Sequence, residues 1–285
     1  MKHYIKLMRP HHYIKNVLIF AALACSGQLF DPRKLLSGLL GFAAFCLISS
    51  VVYIINDIRD VEKDRRHPTK CRRPIAAGTV SVRNAWILAG VLVVLAALCN
   101  LLTFHGTATA LLVLYLILNL AYSFGLKNIP ILDITILVAG FLLRILYGAL
   151  VTQIVISNWL YLTVIALAFY FALGKRRNEL KQLGGEETRK VLKSYPAEFL
   201  DKSMNMCLTL AIVFYSLWSM ADTTVAAYGQ YLVFTVPVVM LIVMKYSLNI
   251  EGESDGDPVE VLLHDKVLLA LCVLYFAAMF SILYL

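Results

Sequence analysis

The sequence predicts an all-α polytopic membrane protein with about nine transmembrane helices. Of its 285 residues, 60% are hydrophobic and only 15% are charged, whereas soluble domains are usually about 45–50% apolar. The mean hydropathy is +0.75. The apolar residues form long runs, and these leave no room for a separate soluble domain. Residues 1–285 are therefore predicted to form a single integral-membrane domain.

Nine apolar runs approach the length of about 20 residues that a helix needs to cross the hydrocarbon core. In chain order they occupy residues 14–30, 35–55, 85–102, 108–126, 131–150, 156–174, 205–221, 229–248 and 266–285. Each run is expected to be helical, because backbone polar groups inside a bilayer must form their hydrogen bonds within the segment.

The basic residues predict which side of the membrane each polar segment occupies. Nearly all Lys and Arg lie in residues 1–16, 56–84, 127–130, 175–204 and 249–265. The positive-inside rule then places these segments and the amino terminus in the cytoplasm. We expect a multi-pass protein of the cell (inner) membrane with its site on the cytoplasmic side. The net charge of +8 suits an anionic bilayer or phosphate-bearing substrates better than nucleic acid.

An aspartate-rich segment follows the second predicted span and contains Asn56, Asp57, Asp60 and Asp64. On a helix, spacings of three and four residues place the three carboxylates on one face, where they repel one another. A divalent cation would remove that repulsion, and oxygen ligands with open positions suit Mg²⁺ that also holds a diphosphate. A solvated loop is the alternative, but carboxylates at the end of an apolar span usually mark function.

Cations and polar groups near this predicted face are candidates for binding phosphate oxygens, with Arg favoured for bidentate contact. For each group, anchoring of a helix end is the alternative explanation. The candidate substrate-binding residues are Arg9, Lys15, Asn16, Arg65, Arg66, Lys70, Arg73, Tyr122, Lys127, Asp133, Arg144, Lys175, Arg176, Arg177 and Glu179.

Arg144 differs from the other candidates because it lies within a predicted span. A guanidinium at that depth should face the bundle interior or water and should have a partner. It either pairs with a buried polar group as a structural residue or helps to hold a phosphate of a lipid substrate. The acidic stretch within residues 251–265 could form a lid, and the sequence leaves that interpretation open.

These residues resemble the motifs of the UbiA superfamily of intramembrane transferases. The signature N-D-x-x-D-x-x-x-D is matched at residues 56–64, R-P-x-x-x-x-K-N at 9–16 and Y-S-x-x-L-K at 122–127. The resemblance extends over nearly the whole chain. It implies a nine-helix bundle with a central cavity that opens toward the cytoplasm and binds a diphosphate through Mg²⁺.

The sequence departs from the aromatic prenyltransferases of that superfamily at one position. Those enzymes carry a second D-x-x-x-D motif after the sixth helix, whereas residues 174–180 read G-K-R-R-N-E-L. Together with H-P-T-K-C-R-R-P-I-A-A-G at 67–78 and A-Y-S-F-G-L-K at 121–127, this variant resembles the decaprenyl-phosphate phosphoribosyltransferase branch. That branch transfers 5-phosphoribose from 5-phosphoribosyl 1-diphosphate to a polyprenyl phosphate and releases diphosphate.

The resemblance implies roles for the candidate residues. Asp57, Asp60 and Asp64 would hold Mg²⁺ on the leaving diphosphate, with Asn56 orienting it. The segment 175–177 would bind the C5 phosphate directly and Glu179 a ribose hydroxyl, while Lys15, Lys127 or Arg144 would meet the lipid phosphate. No general base is expected, because the acceptor phosphate is already ionised. There are two alternative functions. One is a prenyltransferase with an aromatic or other small acceptor, and the other is a lipid or ion transporter. Homo-oligomerisation is compatible with each of these functions.

Overall fold

The computed structural model describes residues 2–182, 190–251, 261–262 and 264–285, which are mostly helical and contain no strand. An all-α fold is thus confirmed. The helices are α1 (Lys2–Met8), a 3₁₀ segment (Pro10–Phe20), α2 (Ala21–Cys25), α3 (Pro32–Arg59), α4 (Val61–Arg66), α5 (Val82–Leu101), α6 (Gly106–Phe124), α7 (Leu132–Thr152), α8 (Asn158–Gln182), α9 (Ala197–Met220), α10 (Asp222–Tyr228), α11 (Val236–Glu251) and α12 (Lys266–Tyr284), joined in part by short 3₁₀ turns.

Eight helical spans in the described part of the chain are long and apolar enough to cross a membrane, and they coincide with eight of the nine predicted spans. One of them joins a 3₁₀ turn at Gln230–Thr235 to α11. The predicted span 14–30 is different, because it forms the 3₁₀ segment and α2 instead of one long α-helix. Residues 252–260 and 263 of the acidic stretch, for which a lid was left open, lie outside the described residues.

Side-chain caps define where several long helices begin. Asp31 precedes Pro32 and accepts hydrogen bonds from the backbone N–H groups of Arg33 and Lys34. Ser81 caps α5 in the same way, and Asp265 caps α12. Caps satisfy amide donors that a helix leaves unbonded at its amino end. The polar residues between the apolar runs therefore fix the helix boundaries.

The helices divide into two compact units, Met1–Leu126 with Leu143–Val155, and Lys127–Leu142 with Ile156–Leu285. We call them the first and second units. In the second unit, buried side chains from five helices form one core, including Val138, Leu173, Leu200, Tyr246 and Leu268. This core supports the polar ends of α8 and α9, where the second group of candidate residues lies.

In the first unit, the 3₁₀ segment packs through residues spaced by three. A 3₁₀ helix has three residues per turn, so side chains at i and i+3 lie in one row. Tyr13 lies 2.8 Å from the Ser50 hydroxyl, and Asn16 Nδ2 donates to Cys46 Sγ at 3.1 Å. Ile19 continues the row and is fully buried. This row explains how a segment with few regular α-helical bonds is held against α3.

Gly148 allows α7 to approach the backbone of the 3₁₀ segment. A Cβ atom at this position would lie only 1.9 Å from the Ile19 carbonyl oxygen. No side-chain movement can relieve a clash with backbone, so the two elements would have to separate. The close contact therefore requires glycine.

We predict that Gly148→Ala destabilises the protein by about 1–3 kcal/mol, because the added methyl group must displace packed backbone. Thermal unfolding in detergent would measure the loss. Gly90→Ala is the matched control, since a Cβ at Gly90 in α5 meets no atom within 4 Å. It should change stability by less than about 1 kcal/mol. Equal midpoints for the two variants would contradict the close-contact interpretation.

Candidate functional site

The aspartate-rich segment lies at the junction of α3 and α4 in the first unit. α3 ends at Arg59 and α4 begins at Val61, so Asp60 is a turn residue and the expected uninterrupted helix is interrupted there. Helical hydrogen bonding nevertheless continues, because Asp60 N–H bonds to the Asn56 carbonyl at 3.0 Å and Asp64 N–H to the Asp60 carbonyl at 2.8 Å. The register that brings Asp57 and Asp64 to one side is therefore kept.

One guanidinium nitrogen joins the two buried aspartates of this segment. Arg73 Nη1 lies 3.1 Å from Asp57 Oδ1 and 2.7 Å from Asp64 Oδ2. The aspartate side chains are 2% and 6% exposed, whereas that of Arg73 is 27% exposed. Buried carboxylates are stable only when a cation compensates them. Arg73 provides that compensation for both.

Arg9 is the second cation on Asp57, with its Nη2 atom 2.5 Å from Oδ1. It also lies over the Tyr53 ring, 5.0 Å from the centroid. The Arg9 backbone has φ 55°, a left-handed conformation that costs roughly 1–2 kcal/mol for a residue with a Cβ. Strained residues of this kind are frequent at functional sites. Here the strained backbone directs the guanidinium to the aspartate at the end of α3.

The other flanking cations predicted to bind phosphate lie apart from these carboxylates. Arg65, Arg66 and Lys70 are exposed. Arg65 pairs with Glu62 at 2.8 Å, and both side chains are more than half exposed. Of the cations between residues 65 and 73, the structure brings only Arg73 into an ion pair with Asp57 or Asp64 within the described residues.

The segment has the ligand types that Mg²⁺ requires, but it is not assembled as a metal site. In the described ranges, no group of three or more His, Cys, Asp or Glu side chains is arranged to hold a metal ion. Asn56 Oδ1 is buried without a hydrogen-bond partner among those residues. Asp60 is half-buried, and its side chain forms no hydrogen bond or ion pair with another described residue. Oxygen atoms of this kind fit Mg²⁺. Arg73 lies between the carboxylates of Asp57 and Asp64, where two of these ligands would converge.

Arg144 is a structural centre of the first unit. Its Nε donates to Asn16 Oδ1 at 2.8 Å and its Nη2 to the Tyr115 hydroxyl at 3.0 Å. The guanidinium also lies over the rings of Phe45 and Tyr115, about 5 Å from each centroid. Of the two sequence interpretations, these contacts favour the structural partner of buried polar groups.

In the second unit, Asp133 and Arg176 form a buried ion pair. Arg176 Nε lies 2.7 Å from Asp133 Oδ2, and the two side chains are 1% and 0% exposed. Arg176 Nη1 also bonds to Glu179 Oε2 at 2.8 Å. The spacing of three residues between Arg176 and Glu179 brings them together on one face of α8. Three predicted residues are thus assembled in one network.

Tyr195 completes this network and was not identified from the sequence. Its hydroxyl donates to Asp133 Oδ1 at 2.6 Å and accepts a hydrogen bond from the Ile131 N–H at 2.5 Å. Burial is the larger cause and the hydrogen bond to Asp133 the second of an increase in the pKa of Tyr195 to about 12. The hydroxyl therefore remains a donor at physiological pH. Ile131 has φ 67°, which is rare for a β-branched residue, and Tyr195 holds it there.

Arg177 is paired in the same unit with two carboxylates, and the sequence analysis did not identify this pairing. It contacts Asp201 of α9, and its Nη2 lies 2.8 Å from Glu251 at the end of α11. Asp201 lies in a mostly basic segment and Glu251 begins the acidic stretch 251–265, and neither position signals a pairing with Arg177. The expected open basic patch is therefore largely neutralised. Among the residues described, Lys175 is the cation of this patch that forms no ion pair.

Lys15, Tyr122 and Lys127, the remaining candidates, are half-buried. Lys15 lies in the 3₁₀ segment, Tyr122 near the end of α6 and Lys127 in the turn that follows. Their predicted contacts with substrate stay predictions.

An apolar cavity of about 320 Å³ lies within the second unit among α8, α9, α11 and α12. Tyr170, Tyr215, Tyr246 and Phe276 contribute to its walls. Its lining suits hydrocarbon and provides no charged group for a phosphate. The candidate residues for polar substrates therefore lie elsewhere, at the charged helix ends.

The comparison with known proteins identifies a family and two similar enzymes. The model of the UbiA prenyltransferase family matches residues 17–263. The chain is 36% identical over 271 residues to decaprenyl-phosphate phosphoribosyltransferase of Corynebacterium glutamicum, which covers 93% of this chain and 81% of that protein. It is 32% identical over 279 residues to the enzyme of the same name from Mycobacterium tuberculosis, covering 96% and 91% of the two chains.

A solved structure shares the fold. The UbiA homolog from Archaeoglobus fulgidus bound to GPP and Mg²⁺ matches 99% of both chains with a TM-score of 0.70 and 18% sequence identity. At that identity the similarity shows a common arrangement of helices. The predicted resemblance in fold is therefore confirmed.

We predict that Arg176→Gln destabilises the protein by about 3–5 kcal/mol, because it leaves Asp133 buried without a counter-charge. Thermal unfolding in detergent would show the loss as a lower midpoint. Lys202→Gln is a matched control, since Lys202 and its partner Glu198 are 76% and 79% exposed and such pairs contribute less than about 1 kcal/mol. A similar midpoint for both variants would contradict the structural importance of the buried pair.

Proposed function

Because the chain belongs to the UbiA prenyltransferase family, we propose that it is a polyprenyl-phosphate phosphoribosyltransferase. It would transfer 5-phosphoribose from 5-phosphoribosyl 1-diphosphate to a polyprenyl phosphate, with release of diphosphate. The observation that supports this proposal most is the 32–36% identity to two enzymes named decaprenyl-phosphate phosphoribosyltransferase over more than nine-tenths of this chain.

The aspartate-rich segment is the proposed binding site for the donor diphosphate. Asp57, Asp60 and Asp64 would hold Mg²⁺, and Asn56 would provide a further oxygen. When bound, the metal would neutralise charge on the departing diphosphate while the ribose acquires oxocarbenium character. The unpartnered Oδ1 atom of Asn56 and the half-buried Asp60 are compatible with this role.

The cations that now contact Asp57 are the proposed partners of the diphosphate oxygens. Arg9 and Arg73 come from opposite sides of the aspartate-rich segment in the sequence and meet at one carboxylate. Guanidinium groups form strong, directional bonds with phosphate oxygens. They would stabilise negative charge that develops on the leaving group. Because the acceptor is an ionised phosphate, the reaction needs no side chain to remove a proton.

The remaining polar groups of the substrates are the C5 phosphate and ribose hydroxyls of the donor and the phosphate of the acceptor. We assign them by the chemistry of the available side chains. Lys175 is proposed to bind the C5 phosphate, with Arg176 and Arg177 held in position by their carboxylates. Glu179 is proposed to accept a hydrogen bond from a ribose hydroxyl. Lys15 and Lys127 are proposed to meet the phosphate of the polyprenyl acceptor. The distribution of basic residues supports a cytoplasmic location of these groups.

A prenyltransferase that uses a prenyl diphosphate and a small acceptor is the second candidate, and the name of the family favours it. Both reactions release diphosphate from a donor. They differ in the donor consumed, so the purified protein can be tested with each donor in turn.

We predict that the purified protein releases diphosphate from 5-phosphoribosyl 1-diphosphate only when Mg²⁺ and polyprenyl phosphate are both present. Asp60→Asn should lower the turnover of labelled phosphoribose by about 100-fold or more, because one charged ligand is lost. Glu62→Gln is the matched control, since Glu62 lies two residues away and is 71% exposed. Near-normal turnover of Asp60→Asn would defeat the metal-binding role. Consumption of prenyl diphosphate instead would favour the second candidate.

We predict that Lys175→Gln raises the KM for the donor by about tenfold with a smaller change in kcat, because it removes one charged contact to a phosphate. Lys193→Gln provides the control, since Lys193 is exposed in the same polar region. Steady-state kinetics with varied donor concentration would measure both. An unchanged KM in Lys175→Gln would exclude the assigned C5-phosphate contact.

A further inference from the structure

Arg73 has an unusual position for a residue expected only to bind phosphate. Its Nη1 atom lies between Asp57 Oδ1 and Asp64 Oδ2, at 3.1 and 2.7 Å. A single cationic nitrogen therefore occupies the place where two of the proposed metal ligands converge. Bringing two buried carboxylates so close without a cation would be strongly unfavourable. The guanidinium thus performs the electrostatic task that a metal ion would perform there.

We propose that Arg73 is an internal counter-ion that occupies the metal position in the resting protein and transfers to the diphosphate when the metal and the diphosphate bind together. This inference rests on the proposed function, since it assumes a donor with a diphosphate. It goes further by assigning Arg73 two successive partners. It also predicts that the metal alone binds poorly.

The surroundings of Arg73 allow its side chain to move while its backbone stays in place. The backbone N–H bonds to the Lys70 carbonyl at 2.9 Å, and its carbonyl accepts from the Ala77 N–H at 2.8 Å. The side chain is 27% exposed, in contrast to the nearly inaccessible aspartates. A long, partly exposed side chain on a fixed backbone can change partners without unfolding the loop.

Charge balance makes the transfer favourable only when an anion is present. If Arg73 left the aspartates for metal alone, its guanidinium would lose two carboxylate contacts and gain no partner. With a diphosphate present, it gains phosphate oxygens of comparable or greater charge. Asp57 retains Arg9 during the exchange. The site should therefore accept a metal–diphosphate complex in preference to its separate parts.

Calorimetric titration of the full-length protein in detergent tests this inference without any transfer reaction. The probes are Mg²⁺ alone and Mg²⁺ with inorganic diphosphate. Arg73→Gln should bind Mg²⁺ alone at least about tenfold more tightly than the unaltered protein, because no cation competes for the carboxylates. Its affinity for the Mg²⁺–diphosphate pair should fall by about tenfold, because a charged contact is lost.

Two further variants separate charge from packing. Lys63→Gln removes a nearby exposed cation that forms no ion pair with Asp57 or Asp64, so its affinity for Mg²⁺ alone should not change. Arg73→Lys keeps the charge, and its affinity for Mg²⁺ alone should stay within about threefold of the unaltered protein. If Arg73→Gln binds Mg²⁺ alone no better than the unaltered protein, or if Arg73→Lys gains as much as the Gln variant, the proposal is wrong.

Thermal stability gives a second readout if Arg73→Gln is unstable without metal. Mg²⁺ alone should raise the unfolding midpoint of Arg73→Gln and have little effect on the unaltered protein. An equal effect on both would overturn the counter-ion role. If the variants differ in Mg²⁺ binding as expected but the protein does not transfer phosphoribose, only the proposed reaction is refuted. The two proposals can therefore be distinguished.

Discussion

The compensation of buried carboxylates by arginine is the interaction on which both candidate regions depend. Each buried ion loses several kcal/mol of solvation, which only close pairing can offset. At the end of α3, this requirement brings Arg9 and Arg73 to Asp57 from segments 48 and 16 residues away in the sequence. The left-handed backbone at Arg9 is a local strain that the ion pair can support. The aspartate-rich segment thus organises the surrounding loops.

The two units use the same kind of ion pair in different ways. Arg176 and Asp133 are almost completely inaccessible, and both Tyr195 and Glu179 bond to the pair. Such an enclosed pair has little freedom to exchange partners, so it holds the start of α7 against α8 within the second unit. The partly exposed Arg73 can be reached by an incoming anion. The difference in accessibility separates a structural pair from one that can take part in binding.

The sequence predicted the features that depend on local spacing and missed those that depend on distant partners. Helix periodicity was sufficient to place Asp57 and Asp64 on one side, because i and i+7 positions share a helix face. It could not identify Tyr195 as a partner of Asp133, since the two lie 62 residues apart. The apolar run also predicted the first span, but not that it would wind as a 3₁₀ helix. A hydropathy pattern shows how many residues are apolar and carries no information on the number of residues per turn. The neutralisation of Arg177 was missed because Glu251 lies 74 residues beyond it.

The 3₁₀ segment near the amino terminus is longer per residue than an α-helix, and this affects how this part of the chain can match the thickness of a bilayer. With a rise of about 2.0 Å per residue, the 11 residues of Pro10–Phe20 reach about 22 Å, and the five of α2 add about 7 Å. Together they approach the hydrocarbon thickness of about 30 Å, whereas a regular α-helix over the same residues would reach only about 24 Å. The tighter winding therefore gives these 16 residues a reach close to the hydrocarbon thickness, which the same residues wound as a regular α-helix would not have.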